Sequence, residues 1–331
     1  MKLVTFEVGT PLGPVERLGA LRGGEVVDLN RAAERLYERE GRARPAARAA
    51  FFVPPDLLGL LDGGEESLVE ARRALESASG GGTVWDAALV RLRAPLPRPR
   101  SLRDFFAFED HAKAGAARRG EPMQKEWYDQ PVFYKGNPRE VYGPGDEMPW
   151  PAFTRRLDFE FEVAAVVGRE GRDVPVADAK RFIAGVMVMN DCSARDIQKN
   201  EMVCRMGPAK GKDFATMLGP HLLTVDEWDG RVPELIVRVN GEEWSRSNGL
   251  QPYWSFATML SHASQCETLL PGDLLGSGTY FKGCGLDQDR WLKPGDRLEL
   301  DAGPLGVLAS TVGAPRGSLR LKYRQDGSYA S

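Results

Sequence analysis

Two apolar runs edged by carboxylates constrain this chain more than any other feature. Phe159 to Val167 and Ile183 to Met189 suit strands buried on both faces. Within Leu157-Asp-Phe-Glu160-Phe-Glu162, the two glutamates stand two residues apart, which puts them on the same side of an extended strand. Like charges held side by side repel unless something cationic sits between them. The second run closes on Asp191, with Arg195 and Gln198 just beyond. Three carboxylates without neighbouring Cys or His ligands suit a hard cation taking oxygen ligands, Mg²⁺ or Ca²⁺ rather than Zn²⁺. A plainer reading also fits the spacing: Glu160 and Glu162 could be the alternating polar residues of an exposed strand face.

At 331 residues the chain is long enough for a large core and for two domains. A net charge of -3 gives no reason to expect nucleic acid or an anionic membrane as partner. No apolar run reaches the 18 or so residues of a membrane span. The start, Met1 to Val8, carries an acid where a signal peptide needs an apolar core, and reads as a first strand. Cys192, Cys204, Cys266 and Cys284 form no C-x-x-C pair, so free thiols in a reducing cytoplasm are expected.

Residues 1–95 read as a small mixed domain. Leu18 to Leu29 suggests two short strands around Gly23-Gly24. Arg31 to Glu40 and Ser67 to Ser77 suggest surface helices, with Asn30 and Ser67 as N-caps. The proline-rich stretch Ala94 to Arg100 is a semi-rigid connector. A second domain, 96–331, opens with a polar, partly helical segment and an irregular stretch over 121–150, then becomes strand-dominated. Asn240-Gly241 marks a tight hairpin, and Arg297 to Asp301 pairs with Gly306 to Thr311. Helices are expected at Val176 to Ala184, in part of 193–203, and at Phe256 to Cys266. The class is mostly β with some α.

Four ordered motifs give the chain a resemblance. Leu157-Asp-Phe-Glu-Phe-Glu162, Met189-Asn-Asp-Cys-Ser-Ala-Arg-Asp-Ile-Gln198, Gly207-Pro-Ala-Lys-Gly-Lys212-Asp-Phe-Ala-Thr216 and Leu269-Leu-Pro-Gly-Asp-Leu-Leu-Gly-Ser-Gly-Thr279 resemble the fumarylacetoacetate hydrolase superfamily, strongly over about 100 to 313. The resemblance implies a C-terminal mixed β-sandwich roll, a small SH3-like N-terminal domain and a homodimer. It also implies a divalent metal, Mg²⁺ first with Ca²⁺ or Mn²⁺ as alternatives, held by Glu160, Glu162, Asp191 and, in Asp104-Phe-Phe-Ala-Phe-Glu-Asp-His111, Asp104.

Of three histidines, His221 and His262 lack site residues nearby, and His111 matches the family's general base. Its acidic partner falls on Asp287, one methylene shorter than the glutamate of the hydrolase branch, with Glu109 and Asp110 as alternatives. The position three residues past the base, acidic in acylpyruvase-like members, is Ala114. Lys212, Arg195 and Gln198 match groups that stabilise an oxyanion. Tyr134, Thr279 and Thr216 match substrate contacts, while Phe106 and Met202 replace tyrosines of the hydrolase branch. The implied activity is metal-dependent hydrolysis of a carbon–carbon bond in a small β-diketo acid such as fumarylacetoacetate, giving fumarate and acetoacetate. Acylpyruvate hydrolysis, oxaloacetate decarboxylation and isomerisation of a 2-hydroxy-dienoate are the alternatives on the same scaffold.

Overall fold

A computed structural model of the chain describes residues 1–315 and residue 317. The described residues are mostly sheet with interspersed helices. The frame is a mixed sheet of twelve strands. It runs from Val84–Asp86 through Glu25–Asp28, Gly13–Arg22, Lys2–Thr10, Thr216–Thr224, Ile183–Asp191, Phe161–Val167, Asp273–Gly276 and Ser101–Phe105 to Phe133–Gly136. Leu92–Arg93 and Val141–Tyr142 pair beside this path. A second sheet of five strands stacks Glu242–Arg246, Ile236–Val239, Arg297–Asp301, Val307–Val312 and Glu147–Met148.

The two apolar runs lie side by side in the middle of the large sheet, Phe161 opposite Asn190 and Val166 opposite Gly185. Every residue of both strands is buried, which is why their sequence is continuously apolar rather than alternating. Residues 1–95 join this same sheet, because Lys2 pairs with Leu223 and Leu3 with Leu222. Their core is shared too: Leu3, Leu18 and Leu60 belong to one buried cluster with Ala164, Met187 and Leu274. The expected second domain extends to 331, and its residues 316 and 318–331 lie outside the described residues.

Several local expectations are met. Gly23 and Gly24 turn at φ 56° and 89°, and Asn240-Gly241 at 53° and 80°, the left-handed pair that a tight hairpin requires. Others are corrected. Asp28, not Asn30, caps the helix Leu29–Arg39, accepting from the Arg31 N–H, while Asn30 donates to Val53 O. Ser67 lies inside the helix Gly64–Ser77 rather than capping it. The helix expected at Val176 to Ala184 is only a single 3₁₀ turn, Ala179–Phe182, because the β-strand begins at Ile183. The stretch 121–150 holds three short strands, Phe133–Gly136, Val141–Tyr142 and Glu147–Met148, whose pairing is tertiary and leaves little local pattern.

His221 is a buried member of the central strand Thr216–Thr224, its Nε2 donating to Pro304 O at 3.0 Å. Burial pushes its pKa down to about 4. Below pH 6.5 the unfolded chain therefore takes up a proton that the folded chain refuses, so this contribution is complete above 6.5 and shrinks as pH falls towards 4. The loss reaches about 3 kcal/mol at pH 4. Denaturant unfolding of the wild type and of His221→Gln at pH 7 and pH 4 should show the wild type losing more stability by about that amount. Equal losses would remove His221 from the acid response.

Candidate functional site

The strand pairing gathers the carboxylates. Leu157–Asp158 pairs with Ser193–Ala194, and the chain then steps across Phe159 and Glu160 into the long strand at Phe161. Glu160 is tied on both sides: its carbonyl accepts from Asp191 N at 3.1 Å, and its N–H donates to Asn190 Oδ1 at 3.1 Å. Asp104 arrives on Ser101–Phe105, which runs parallel to Asp273–Gly276. One carboxylate oxygen each of Asp104, Glu160, Glu162 and Asp191 lies within 4.8 Å of the others, and all four residues are buried. The alternating exposed face that the spacing alone permitted is not what forms.

Two cations face this cluster. The Lys212 ammonium, 4% exposed, bonds Glu160 Oε2 at 2.6 Å and also contacts Asp191 Oδ2. Arg195 places Nη1 2.7 Å from Glu160 Oε1 and also donates it to Gln198 Oε1 at 3.1 Å, one turn along the helix Arg195–Val203. Counting Asp158, five buried carboxylates meet only two cations. The imbalance falls on the side away from Lys212. Burial, then the charges of Asp191 and Asp104 respectively, push the pKa values of Asp104 and Glu162 well up. Asp191 is raised by burial, against the pull of Lys212. At Glu160 burial acts the same way, but Arg195 and Lys212 outweigh it and hold the carboxyl well below the usual range.

A divalent ion fits this arrangement. Glu162 Oε1 is buried without a hydrogen-bond partner, while its Oε2 accepts from Gly278 N at 2.8 Å. The donors are all oxygen, which suits a hard cation. Gly278 sits at φ 75°, and a Cβ there would lie 2.4 Å from Phe105 O, so only glycine lets its N–H reach both Glu162 and Asp104.

Beside the cluster, His111 Nδ1 lies 2.8 Å from Asp287 Oδ2. Asp287 is in the short turn Leu286–Gln288, its side chain fully buried. Arg118 Nη1, seven residues after His111 on the helix Glu109–Arg118, lies 2.6 Å from the other oxygen, and Lys282 N donates to Oδ2 at 2.9 Å. Burial draws the Asp287 pKa upward, but the His111 bond and charge, the Lys282 N–H and Arg118 prevail and hold it at about 2. Glu109 instead accepts from Tyr128 and pairs with Lys113. The Phe106 ring stands edge-on to His111 at 5.4 Å.

The remaining sequence candidates divide. Tyr134 sits directly across from Asp104, and its phenol pKa is pushed well up by burial and by Asp191. Thr216 is directly across from Asp191. Thr279 donates its hydroxyl to Phe161 O at 3.0 Å, which commits that proton to the backbone. Met202 is 48% exposed, near the outer end of the helix that carries Arg195.

Asp158 is the residue that motif reading passed over. Fully buried, it accepts at Oδ1 from Phe159 N at 2.9 Å and Gly285 N at 2.8 Å, and at Oδ2 from Leu286 N at 3.0 Å and Arg195 Nε at 2.8 Å. One carboxylate thus fixes both Arg195 and the loop that carries Asp287. Its only sequence signal was its place before two glutamates in a strand that should be apolar. An amide has one acceptor oxygen, so Asp158→Asn gives up either the Gly285 N–H or both the Leu286 N–H and Arg195. We expect kcat/KM to fall about 100-fold, the usual cost of an ångström of misplacement, with thermal stabilisation by divalent metal retained. Unchanged kinetics would show that the two attachments are redundant.

Among the described residues, no helix is long and apolar enough to cross a membrane. The chain is 30% identical over 318 residues to a mitochondrial oxaloacetate tautomerase of Homo sapiens, covering 94% of this chain and 91% of that one. It is 27% identical to an oxaloacetate tautomerase of Bacillus subtilis (strain 168), covering 87% and 93%. A fumarylacetoacetate hydrolase from Exiguobacterium antarcticum superposes with a TM-score of 0.70 at 25% identity, covering 95% and 99%. A maleylpyruvate hydrolase from Sphingobium, solved with manganese(II) and pyruvate, shares the fold with a TM-score of 0.69 at 23% identity, covering 96% and 100%. Residues 101–313 match the fumarylacetoacetate hydrolase C-terminal family, and with the buried carboxylates and the four motifs in that stretch, the chain belongs to this family.

Proposed function

We propose that this protein catalyses the metal-dependent interconversion of the enol and keto forms of a small 2-oxo dicarboxylate, with oxaloacetate as the first candidate. The observation that carries the reading is a proton-transfer pair, His111–Asp287, beside a buried cluster of carboxylates short of positive charge. The relatives named oxaloacetate tautomerase support the choice of substrate, since they align over nearly the whole of both chains. Asp104, Glu160, Glu162 and Asp191 would hold the metal, Mg²⁺ by the hardness of its donors. When bound, it supplies Lewis-acid stabilisation of the enolate oxygen.

This chain's own residues do the rest. Arg195, oriented by Asp158 and Gln198, presents a guanidinium to a substrate carboxylate. Lys212 adds positive charge where the enolate oxygen develops. His111 takes a proton from the carbon next to the carbonyl in the keto form and passes it to solvent, while the enol oxygen gains one from solvent. In the reverse direction it returns a proton to that carbon as the enol oxygen gives its own to solvent. Asp287 stays ionised throughout the neutral range, holds the Nδ1 proton and leaves Nε2 free for the transfer.

A second reading, hydrolysis of a carbon–carbon bond in an acylpyruvate or fumarylacetoacetate, is favoured by the same pair, because a base held this firmly can also take a proton from water. One assay separates them. The ultraviolet absorbance of enol-oxaloacetate is followed with Mg²⁺ and with EDTA, and fumarylacetoacetate and acylpyruvate are run in parallel. Mg²⁺-dependent acceleration of oxaloacetate ketonisation without cleavage of the other two supports the tautomerase reading. Cleavage of either diketo acid without that acceleration replaces it by the hydrolase.

A further inference from the structure

A second group of potential ligands stands next to the carboxylate cluster and differs from it in kind. His111, Cys284 and Asp287 each offer one atom, and the three atoms lie within 4.8 Å of one another. They come from two rigid places. Cys284 bridges Glu160 in an isolated β-contact, and Asp287 follows three residues later, after two peptide N–H groups pinned by Asp158. His111 projects from the helix Glu109–Arg118. The Cys284 side chain is fully buried, and among the described residues its sulfur makes no hydrogen bond. The reaction proposed above uses His111 and Asp287 and has no task for this thiol.

Nitrogen, sulfur and oxygen ligands in one small space are what a thiophilic divalent ion selects, whereas Mg²⁺ selects oxygen alone. Three protein ligands of these kinds match zinc sites in which water takes the fourth position, rather than the four-ligand structural ones. Arg118 neutralises the far oxygen of Asp287 and leaves Oδ2 turned towards His111.

We propose that His111, Cys284 and Asp287 form an inhibitory site for a thiophilic divalent cation, Zn²⁺ being the reference ion, distinct from the carboxylate site. Binding exchanges the thiol proton for a metal–sulfur bond and releases that proton to solvent, with no change of oxidation state. Sharing the ion with Asp287 Oδ2 takes the Nδ1 lone pair, so the ring proton moves from Nδ1 to Nε2, and a protonated Nε2 can no longer accept a substrate proton. Two adjacent sites thereby sort cations by hardness: a hard ion at the four carboxylates supports turnover, and a soft ion at the second site stops it. The binding stands on the ligand geometry alone, and only the inhibition rests on the proposed role of His111.

The test keeps the full-length protein saturated with Mg²⁺, so that the carboxylates are occupied, and adds Co²⁺ as a spectroscopic probe. Wild type should develop a near-ultraviolet thiolate-to-cobalt charge-transfer band that Zn²⁺ abolishes, and Cys284→Ser should develop none. In the activity assay at saturating Mg²⁺, the Zn²⁺ concentration giving half inhibition should rise at least 10-fold in Cys284→Ser, the size of effect expected when support for a bound metal is removed. Basal turnover should be unchanged. Cys284→Ala serves the same comparison if the serine variant fails to fold. Absence of the band in wild type, or equal Zn²⁺ inhibition with and without the thiol, would overturn the proposal and assign the inhibition to exchange at the carboxylates. A band that forms in a protein inactive on every substrate tried would leave the metal site standing and discard the reaction instead.

Discussion

His111→Ala should lower kcat by 10²–10⁴-fold, the range that a positioned general base contributes. The metal-linked rise in melting temperature should survive, because His111 is not among the four carboxylates proposed to hold the metal. The prediction is strict because the environment of His111 is one-sided. Its Nδ1 faces Asp287, whose own partners are cations and a peptide N–H, so the aspartate has no reason to take the proton. Held at about 2, the Asp287 pKa is below its unfolded value. Its contribution to stability, about 2 kcal/mol, is complete above pH 4 and disappears only as pH falls through 2. The orienting group is thus fully charged wherever the enzyme would be assayed. Asp287→Asn should cost nearly as much in kcat as loss of the histidine, since an amide that offers N–H to Nδ1 selects the opposite tautomer. Single-turnover measurement at saturating Mg²⁺ distinguishes this from weaker binding. A His111→Ala enzyme with wild-type kcat would exclude the imidazole from the chemistry.

How much of this was legible beforehand depends on whether the information is local. The paired apolar runs announced the central strands, because a strand covered on both faces must be apolar at every position. The family motifs brought Asp104, His111 and Asp287 into consideration, although 176 residues separate the last two. Nothing in their spacing indicates the 2.8 Å contact between them, which exists because Asp158 fastens the Asp287 loop from the far side. Asp158 itself stood in the most conspicuous motif, where its place before two glutamates was the only signal that set it apart from an ordinary polar residue. The helix expected at Val176 to Ala184 failed for a related reason: a strand paired on both sides claimed Ile183 and Ala184, and tertiary pairing overrode a local pattern. The joining of residues 1–95 to the central sheet through Lys2 and Leu3 was equally invisible, since a proline-rich connector reads as a boundary whether or not strands pair across it.

The same one-sidedness at the carboxylates yields the second large effect. Glu162→Gln should abolish both turnover and metal-linked stabilisation while leaving the metal-free protein as stable as wild type. Without a cation, burial, joined by the charge of Asp191 at Asp104 and of Asp104 at Glu162, drives both groups towards their protonated forms. A glutamine therefore resembles the metal-free side chain, and it can still accept the Gly278 N–H. A divalent ion, by contrast, requires both carboxylates ionised, and an amide there supplies no charge. At a free Mg²⁺ concentration 100 times the dissociation constant, wild type should gain about 2.7 kcal/mol, roughly 4 °C in melting temperature for a chain of this length. The pH response has a fixed sign. Raised folded pKa values favour the metal-free fold below the unfolded carboxylate range, and that advantage is lost as pH rises through them. Metal binding must expel those protons, so the Mg²⁺-induced rise should grow between pH 6 and pH 8, by up to about 1.4 kcal/mol per pH unit for each proton released. Thermal scans of both proteins at the two pH values, with Mg²⁺ and with EDTA, test every part of this. A full Mg²⁺ shift in Glu162→Gln, or a wild-type shift that shrinks with rising pH, would mean that the ion is held elsewhere than between these four carboxylates.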